Sequence, residues 1–182
     1  MPVIAVLDAD VLFPMILRDT LLRVAASGGF RAQWSAKILD EVTRNLIDQH
    51  RMDAAKATSL TRAMADAFPD AMVEGWEPLE AAMPNHPKDR HVAAAAKQVG
   101  AGIVVTLNLK DFSVMPSGIT AMSPDTFLTQ CLDAGPEKVM AALRKQAAGY
   151  RNPAMTTSDL IETLAKVVPG FSRAGKALLS DT

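Results

Sequence analysis

Two aspartates in this sequence follow apolar segments that have the length of a buried β-strand. Asp8 comes directly after residues 2–7, and Asp111 lies shortly after residues 103–107, with Asn108 between. In open α/β sheets, ligands bind beyond the carboxyl ends of the strands, near the point where the strand order reverses. Polar side chains after two strong strands are therefore candidates for one crevice. Aspartate is also common in caps and turns, so each residue taken alone has an ordinary structural explanation.

Two further acidic residues are predicted to lie on helices. Asp89 is placed in the first turn of an alanine-rich helix, where the helix dipole alone favours an acid by about 0.3–1 kcal/mol. Its helical spacing places it beside the apolar stripe of that helix. Burying a carboxylate there costs free energy unless the group is paired or bound to metal. Glu41 flanks the apolar arc of another helix beside Lys37 and Arg44, so surface ion pairs also explain it. The residues alone leave both explanations open.

The hydrophobic pattern predicts the elements that would position these acids. Ser35 and the pair Ser123-Pro124 are typical helix starts, and Gly100 is a typical helix end. Strands are predicted at 2–7, 30–34, 71–73, 102–107 and 119–122, and helices at about 17–25, 36–50, 52–67, 88–100 and from 124. This alternation predicts an α/β fold, a three-layer α/β/α sandwich with a mostly parallel central sheet.

The pattern changes from about Gly135, after which two or three helices and no strands are predicted. We therefore predict an α/β domain over residues 1–134 and a helical C-terminal extension over residues 135–182. Residues 76–87 contain three prolines and are predicted to form a loop.

The composition limits the possible classes of protein. The 182 residues are 49% hydrophobic and include one cysteine, Cys131, which rules out an internal disulfide. No apolar run approaches the roughly 20 residues of a membrane span, and no signal peptide is visible, so we expect a soluble, cytoplasmic protein. Nineteen basic residues against 20 acidic ones do not indicate nucleic-acid binding by overall charge, although a local basic rim is compatible with it.

Four sequence blocks carry a family resemblance by their order and spacing. They are Leu7-Asp-Ala-Asp-Val-Leu12, Ser35-Ala-Lys-Ile-Leu-Asp-Glu-Val-Thr-Arg-Asn-Leu46, Pro87-Lys-Asp-Arg-His-Val-Ala-Ala-Ala95 and Ile103-Val-Val-Thr-Leu-Asn-Leu-Lys-Asp-Phe112. Together they resemble the PIN domain, especially its bacterial VapC-like toxin branch. The resemblance spans residues 2 to about 132 and includes the Ser-Pro-x-x-Phe sequence at 123–127.

This resemblance implies a Mg²⁺- or Mn²⁺-dependent endoribonuclease with a parallel-sheet sandwich fold. The family's catalytic, metal-binding acids correspond to Asp8, Glu41, Asp89 and Asp111. Thr106 and Asn108 match polar positions that support the last acid, although Asn108 stands where many relatives have a second aspartate. Asp10 occupies a position more often held by Asn, Ser or Thr, and would be either an additional acid behind the site or a helix cap.

The predicted chemistry follows from the repulsion among carboxylates. Two of them about 4 Å apart repel by on the order of 4 kcal/mol at an effective dielectric near 20, so an ionised cluster needs a cation. Oxygen ligands suit Mg²⁺ or Mn²⁺, and the sequence shows no Cys or His cluster that would select zinc. One or two such ions could activate water for attack on phosphorus and screen charge on the phosphate oxygens.

Basic residues flank the four acids in sequence and are candidates for RNA contact, although each alone is an ordinary surface cation. They are Lys37, Arg44, Lys88, Arg90 and Lys110. The resemblance also implies an RNA substrate, a cognate antitoxin protein and a homodimer, with no membrane association. We expect a structural role for His91 and core packing for Trp34, whereas Trp76 could pack in the core or stack on a base.

Two alternatives remain at this point. Phosphatases of the haloacid-dehalogenase type use an Asp-x-Asp sequence after a first strand, as in Asp8-Ala-Asp10. They also need a pair of acids at a later strand end, and residues 106–111 supply no adjacent pair. The second alternative is a catalytically silent PIN-like scaffold that binds RNA or protein. Loss of two acids would be its expected mark, and all four are present.

Overall fold

The computed structural model describes residues 2–180, which group into two compact units. The sheet unit contains Val3–Phe13 and Arg31–Met122, and the helical unit contains Pro14–Phe30 and residues 123–180, together with Pro2. The segment of residues 14–30 thus belongs with the C-terminal helices although it lies early in the chain. The predicted domain boundary between residues 134 and 135 stays a prediction.

The sheet unit is built on a five-stranded parallel sheet with the order β3-β2-β1-β4-β5. The strands are β1 (Ile4–Leu7), β2 (Arg31–Ser35), β3 (Met72–Val73), β4 (Ile103–Val105) and β5 (Thr120–Met122). The chain moves outward from β1 through β2 to β3, and then returns to the other side of β1 for β4. The strand order therefore reverses between β1 and β4, and a ligand crevice is expected beyond the carboxyl ends of these two strands.

Helices connect the strands and continue to the end of the described chain. They are α1 (Ala9–Leu12), α2 (Met15–Ala26), α3 (Ala36–Asp48), α4 (Ala54–Ala67), α5 (Arg90–Val99), α6 (Pro124–Ala134), α7 (Pro136–Gly149), α8 (Thr157–Leu164) and α9 (Pro169–Ser180). Short 3₁₀ helices lie at Pro69–Ala71, Glu77–Ala82, Pro87–Asp89 and Leu109–Phe112.

The helices of the sheet unit are positioned by their apolar faces and end signals. Helix α5 packs across β1, β2 and β4 through residues 91–96, which are all buried. It ends at Gly100, whose φ of 64° lies in the left-handed region that favours glycine. Helix α3 begins at Ser35, whose hydroxyl accepts a hydrogen bond from the Ile38 N–H, and it packs against β2, α1 and α4.

The helical unit is held together by polar contacts as well as apolar packing. The buried Gln146 side chain on α7 accepts a hydrogen bond of 2.9 Å from the Thr20 hydroxyl on α2. The carboxylate of Asp125 on α6 accepts hydrogen bonds from the Gly170 and Phe171 N–H groups, at 3.1 and 2.8 Å. Asp125 therefore provides acceptors for the first turn of α9, whose N–H groups have no partners within the helix.

The predicted α/β fold, with a parallel central sheet and a helical C-terminal region, is confirmed. Several bounds differ from the sequence prediction. The predicted first helix is α2, and a short helix that was not predicted, α1, precedes it. Pro14 separates the two, because proline lacks the N–H that a continuous helix requires. Helix α5 begins at Arg90, since the preceding turn is the 3₁₀ helix that starts at Pro87, so Asp89 precedes the helix.

Other differences concern the loops and the tail. The predicted loop at 76–87 contains the 3₁₀ helix Glu77–Ala82, and strand β4 ends at Val105, two residues earlier than predicted. The C-terminal tail forms three helices, α7 to α9. Within the part of the chain that the structure describes, no helix is long and apolar enough to cross a membrane.

Replacing Asp125 by alanine should destabilise the protein by about 1–2 kcal/mol, because two N–H groups at the start of α9 lose a charged acceptor. For a chain of this size, each kcal/mol corresponds to a shift of about 2–4 °C in the thermal unfolding midpoint. The matched control is Asp133→Ala, an exposed aspartate on the same helix. Equal midpoints for the two variants would contradict the proposed role of Asp125.

Candidate metal centre

A cavity of about 540 Å³ opens in the sheet unit beyond the carboxyl ends of β1 and β4, where the strand order predicts a binding site. Three of the four predicted acids line it, together with two of the three predicted supporting residues. Its lining residues are Asp8, Ala9, Asp10, Lys37, Glu41, Arg44, Asn45, Lys88, Asp89 and Asn108.

Asp8 is the most deeply placed of the four acids, with 6% of its surface exposed. One carboxylate oxygen accepts a hydrogen bond from the Ala9 N–H and the other from the Thr106 hydroxyl, both at 2.8 Å. Burial, followed by the nearby charge of Asp10, raises the pKa of Asp8 to about 8 despite these two hydrogen bonds. Without a cation, the ionised form of Asp8 is therefore strongly disfavoured at this position.

Asp10 and Thr106 connect the end of β1 to the chain that follows β4. The Leu107 N–H lies 3.1 and 3.0 Å from the two carboxylate oxygens of Asp10, and the Thr106 hydroxyl lies 3.0 Å from one of them. This hydroxyl has one proton, so it can donate to either Asp8 or Asp10 but not to both at once. Burial raises the pKa of Asp10, and Asp89 adds to the increase.

These contacts bear on the two predicted roles of Asp10. Helix α1 is capped by Asp8, whose side chain accepts from the Ala9 N–H, and the Asp10 carboxylate instead bonds to the backbone of Leu107. The geometry therefore favours Asp10 as an additional acid that positions the site. Thr106 lies beside Asp8 and Asp10 rather than beside Asp111, the acid it was expected to support.

Glu41 reaches the cavity from α3 and is held by a histidine of α5. Its Oε2 atom lies 3.3 Å from Nε2 of His91, a fully buried residue whose Nδ1 lies 3.2 Å from the Lys88 carbonyl oxygen. Partial burial raises the pKa of Glu41, but the contact with His91 and the charges of Arg44 and Lys37 outweigh it and lower the pKa below its usual value. The structural role expected for His91 thus includes positioning a candidate ligand.

Asp89, Asp111 and Asn108 form the outer part of the site. The Asn108 amide donates a hydrogen bond of 2.7 Å to Asp111, and this bond lowers the pKa of Asp111. Burial, followed by the charge of Asp111, raises the pKa of Asp89. Asn108 is thus in contact with the acid that it was expected to support, and its supporting role stays a prediction.

The sequence prediction missed His86. Ligand atoms of His86, Asp89 and Asp111 all lie within 4.8 Å of one another, so a histidine does stand beside the predicted oxygen ligands. The contact depends on a hydrogen bond from the His86 N–H to the Asp111 carbonyl oxygen, at 3.0 Å. A bond between two loops leaves no periodic signal in the sequence. The one available hint was the position of His86 three residues before Asp89.

The residues present fit a divalent cation. Oδ2 of Asp89 is shielded from solvent and has no hydrogen-bond partner among the described residues. Buried polar atoms in folded proteins nearly always have a partner, so a bound ion or water is expected there. The pKa values of Asp8, Asp10 and Asp89 are all raised, chiefly by burial and further by neighbouring carboxylates. A hard cation would relieve that repulsion.

The predicted RNA-contact residues differ in their surroundings. The Lys37 ammonium lies 3.1 Å from Glu80 and 5.5 Å from the Trp76 ring centre, and the Arg90 side chain donates to the Asn85 carbonyl oxygen. Arg44 and Lys88 line the cavity, and Lys88 and Lys110 are exposed.

Both tryptophans are buried in the sheet unit. Trp34 has no exposed surface and packs edge-on against Phe68, which agrees with the predicted core role. Trp76 is 7% exposed and lies 6.1 Å from the ring of His91. For Trp76, burial therefore favours core packing over base stacking.

Comparison with known proteins agrees with the fold. The family model described as PIN domain matches residues 5–110, which is more than half of the chain, and this chain belongs to the PIN-domain family. A second model, described as VapC50 C-terminal domain, matches residues 124–175. The predicted family resemblance is confirmed.

A curated relative extends the similarity along the chain. The Mycobacterium tuberculosis protein named "Putative ribonuclease VapC50" is 37% identical to this chain over 125 residues, which cover 67% of this chain and 72% of the relative. The search of solved structures found no match.

Asp8→Asn should stabilise the metal-free protein, and increasingly so as the pH rises from 5 to 8. In the folded state the pKa of Asp8 is about 8, whereas the unfolded chain ionises near 3.8. The folded protein thus holds a proton that the unfolded chain has lost, so stability falls with rising pH by up to about 1.4 kcal/mol per unit. Asparagine can still accept a hydrogen bond from the Ala9 N–H. Because it does not ionise, it removes this pH dependence of the stability.

The measurement is the thermal unfolding midpoint of both proteins in a chelator at several pH values. Asp40→Asn, an exposed aspartate on α3, is the control and should leave the slope unchanged. A constant difference between Asp8→Asn and the unmodified protein across the pH range would contradict the raised pKa.

Proposed function

We propose that this chain is a metal-dependent endoribonuclease that cleaves RNA phosphodiester bonds, and that it is the toxin of a toxin–antitoxin pair. The observation that carries the proposal is the meeting of acids from β1, α3 and the start of α5 in one cavity at the switch in strand order. The relative named as a ribonuclease and the PIN-domain match support the same activity.

Asp8, Asp89, Asp111 and Glu41 are the residues that would hold Mg²⁺ or Mn²⁺. The ion would supply an activated water and would stabilise charge on the phosphate oxygens. The chain itself orients the ligands: Thr106 bonds to Asp8, His91 contacts Glu41, and Asn108 bonds to Asp111. Each of these partners restrains a carboxylate that would otherwise turn away from its neighbours.

RNA would approach this acidic centre along its basic rim. Arg44 and Lys88 line the cavity itself, and the exposed Lys110 is adjacent in sequence to Asp111. Phosphate contacts of this kind position a nucleic acid without reading its sequence. Because the chain has a net charge of −1, these local cations, rather than the overall charge, would guide the substrate.

The geometry argues against a phosphatase of the haloacid-dehalogenase type. That mechanism needs Asp8 as a nucleophile and Asp10 as a mobile acid, whereas Asp10 is tied to the Leu107 N–H and shares the Thr106 hydroxyl with Asp8. It also leaves Glu41 and its contact with His91 without a function. The presence of all four acids argues against the silent-scaffold alternative, whose one supporting feature is Asn108 at a position where many relatives have a second aspartate.

The kinds of partner follow from family membership. VapC-type proteins act on RNA and pair with an antitoxin protein, and we propose both for this chain. The homodimer and the cytoplasmic location stay predictions.

Asp89→Asn should reduce RNA cleavage by at least about a hundredfold at saturating Mn²⁺, because it neutralises one ligand of the proposed ion. The test is cleavage of total RNA during a Mn²⁺ titration, with Asp66→Asn, an exposed aspartate on α4, as the matched control. The control should cleave like the unmodified protein.

Two results would count against the proposal. Cleavage by the unmodified protein that persists after complete removal of metal would contradict metal dependence. Absence of cleavage with Mn²⁺ supplied would instead favour the silent scaffold.

A further inference from the structure

Buried polar atoms without a partner are concentrated on one short segment, residues 85–89. Among the described residues they include both amide atoms of Asn85 and Oδ2 of Asp89. Asn85 is only 3% exposed, so its unpaired amide is especially costly. Since native proteins pair nearly all such atoms, this segment is expected to be completed by an ion and its bound waters.

The same segment carries His86, and two backbone hydrogen bonds fix its position. The His86 N–H donates to the Asp111 carbonyl oxygen at 3.0 Å, and the Asp89 N–H donates to the His86 carbonyl oxygen at 2.9 Å. These bonds hold three potential ligand groups, from His86, Asp89 and Asp111, within 4.8 Å of one another. That spacing allows all three to reach a single ion with small side-chain movements.

The state of the His86 ring is compatible with metal binding. The ring is exposed, and Nδ1 accepts a hydrogen bond from the Lys88 N–H at 3.3 Å, which is beyond the usual range of 2.7–3.2 Å. Giving up so weak a bond costs little, so either ring nitrogen can serve once the ring is in its neutral form.

The donor set at this position differs from the oxygen-only set around Asp8. An imidazole nitrogen binds divalent transition metals, most weakly Mn²⁺ and more strongly the later ones, whereas Mg²⁺ prefers oxygen and keeps most of its waters. A site with one nitrogen and two carboxylates therefore discriminates between ions that an all-carboxylate site would bind in the same way.

We propose that His86 is a metal ligand together with Asp89 and Asp111, and that it makes this centre prefer Mn²⁺ or another divalent transition metal over Mg²⁺. This inference rests on the metal-binding part of the proposed function and adds the nature of the ion to it. Asp89 would then belong both to this ligand set and to the group of acids around Asp8, since it interacts electrostatically with Asp111 and also with Asp8.

The test measures binding rather than cleavage. Pulsed electron paramagnetic resonance on the Mn²⁺-loaded full chain should show a directly bound nitrogen, and calorimetry gives the Mn²⁺ and Mg²⁺ affinities. His86→Asn should abolish the nitrogen signal and weaken Mn²⁺ binding about tenfold or more, with Mg²⁺ affinity changed less than about twofold. Asparagine can still accept a hydrogen bond from the Lys88 N–H, so the turn is retained.

The matched control is His50→Asn, which replaces an exposed histidine whose φ of 53° asparagine also tolerates. It should keep both the nitrogen signal and the affinities. Bound Mn²⁺ without a nitrogen signal in the unmodified protein, or a signal that survives His86→Asn, would overturn the role of His86 while leaving the carboxylate centre intact. Failure of the unmodified protein to bind any divalent ion would overturn the metal part of the proposed function as well.

Discussion

The repulsion among carboxylates at the end of the parallel sheet is the constraint on which the rest of this structure depends. Burial raises the pKa values of Asp8, Asp10 and Asp89. Neighbouring charges raise them further: Asp10 acts on Asp8, and Asp89 acts on both. The charge of Asp111 acts on Asp89. In the ionised form such an arrangement is costly, because each group loses water and gains a like-charged neighbour. A divalent cation removes the conflict, and the position of the acids at the switch between β1 and β4 gives that cation an open cavity.

Neutral and basic residues hold the acids in place. Thr106 follows β4 and bonds to Asp8 across the two central strands, His91 on α5 contacts Glu41 on α3, and Asn108 bonds to Asp111. The first two links join elements that are distant in sequence and adjacent in the fold, whereas Asn108 and Asp111 lie within one turn of the chain. The parallel sheet supplies the framework, since its strands all end at the same edge and α5 packs across three of them. The site thus depends on the register of β1 with β4 as much as on the acids themselves.

The elements around the site could largely be predicted, because their signals are local. A continuous apolar run identified β1. The starts of α3 and α6 were marked by Ser35 and Ser123, and the end of α5 was marked by Gly100. Asp8 and Asp111 followed from strand ends. Glu41 could be assigned only through family resemblance, because its orientation depends on a contact between two helices that periodicity does not encode. His86 and the true partners of Thr106 were not found, since hydrogen bonds between loops create both contacts. The grouping of residues 14–30 with the C-terminal helices is likewise a matter of three-dimensional packing.

We propose that a divalent cation binds in the cavity that Asp8, Glu41 and Asp89 line. The decisive experiment is a crystal structure of the Mn²⁺-soaked protein, with data collected near the manganese absorption edge. We expect an anomalous peak within about 2–2.5 Å of carboxylate oxygens of Asp8 or Asp89, at the carboxyl ends of β1 and β4. An empty cavity in crystals that hold Mn²⁺ elsewhere, or a peak bound only by residues outside the cavity, would contradict it.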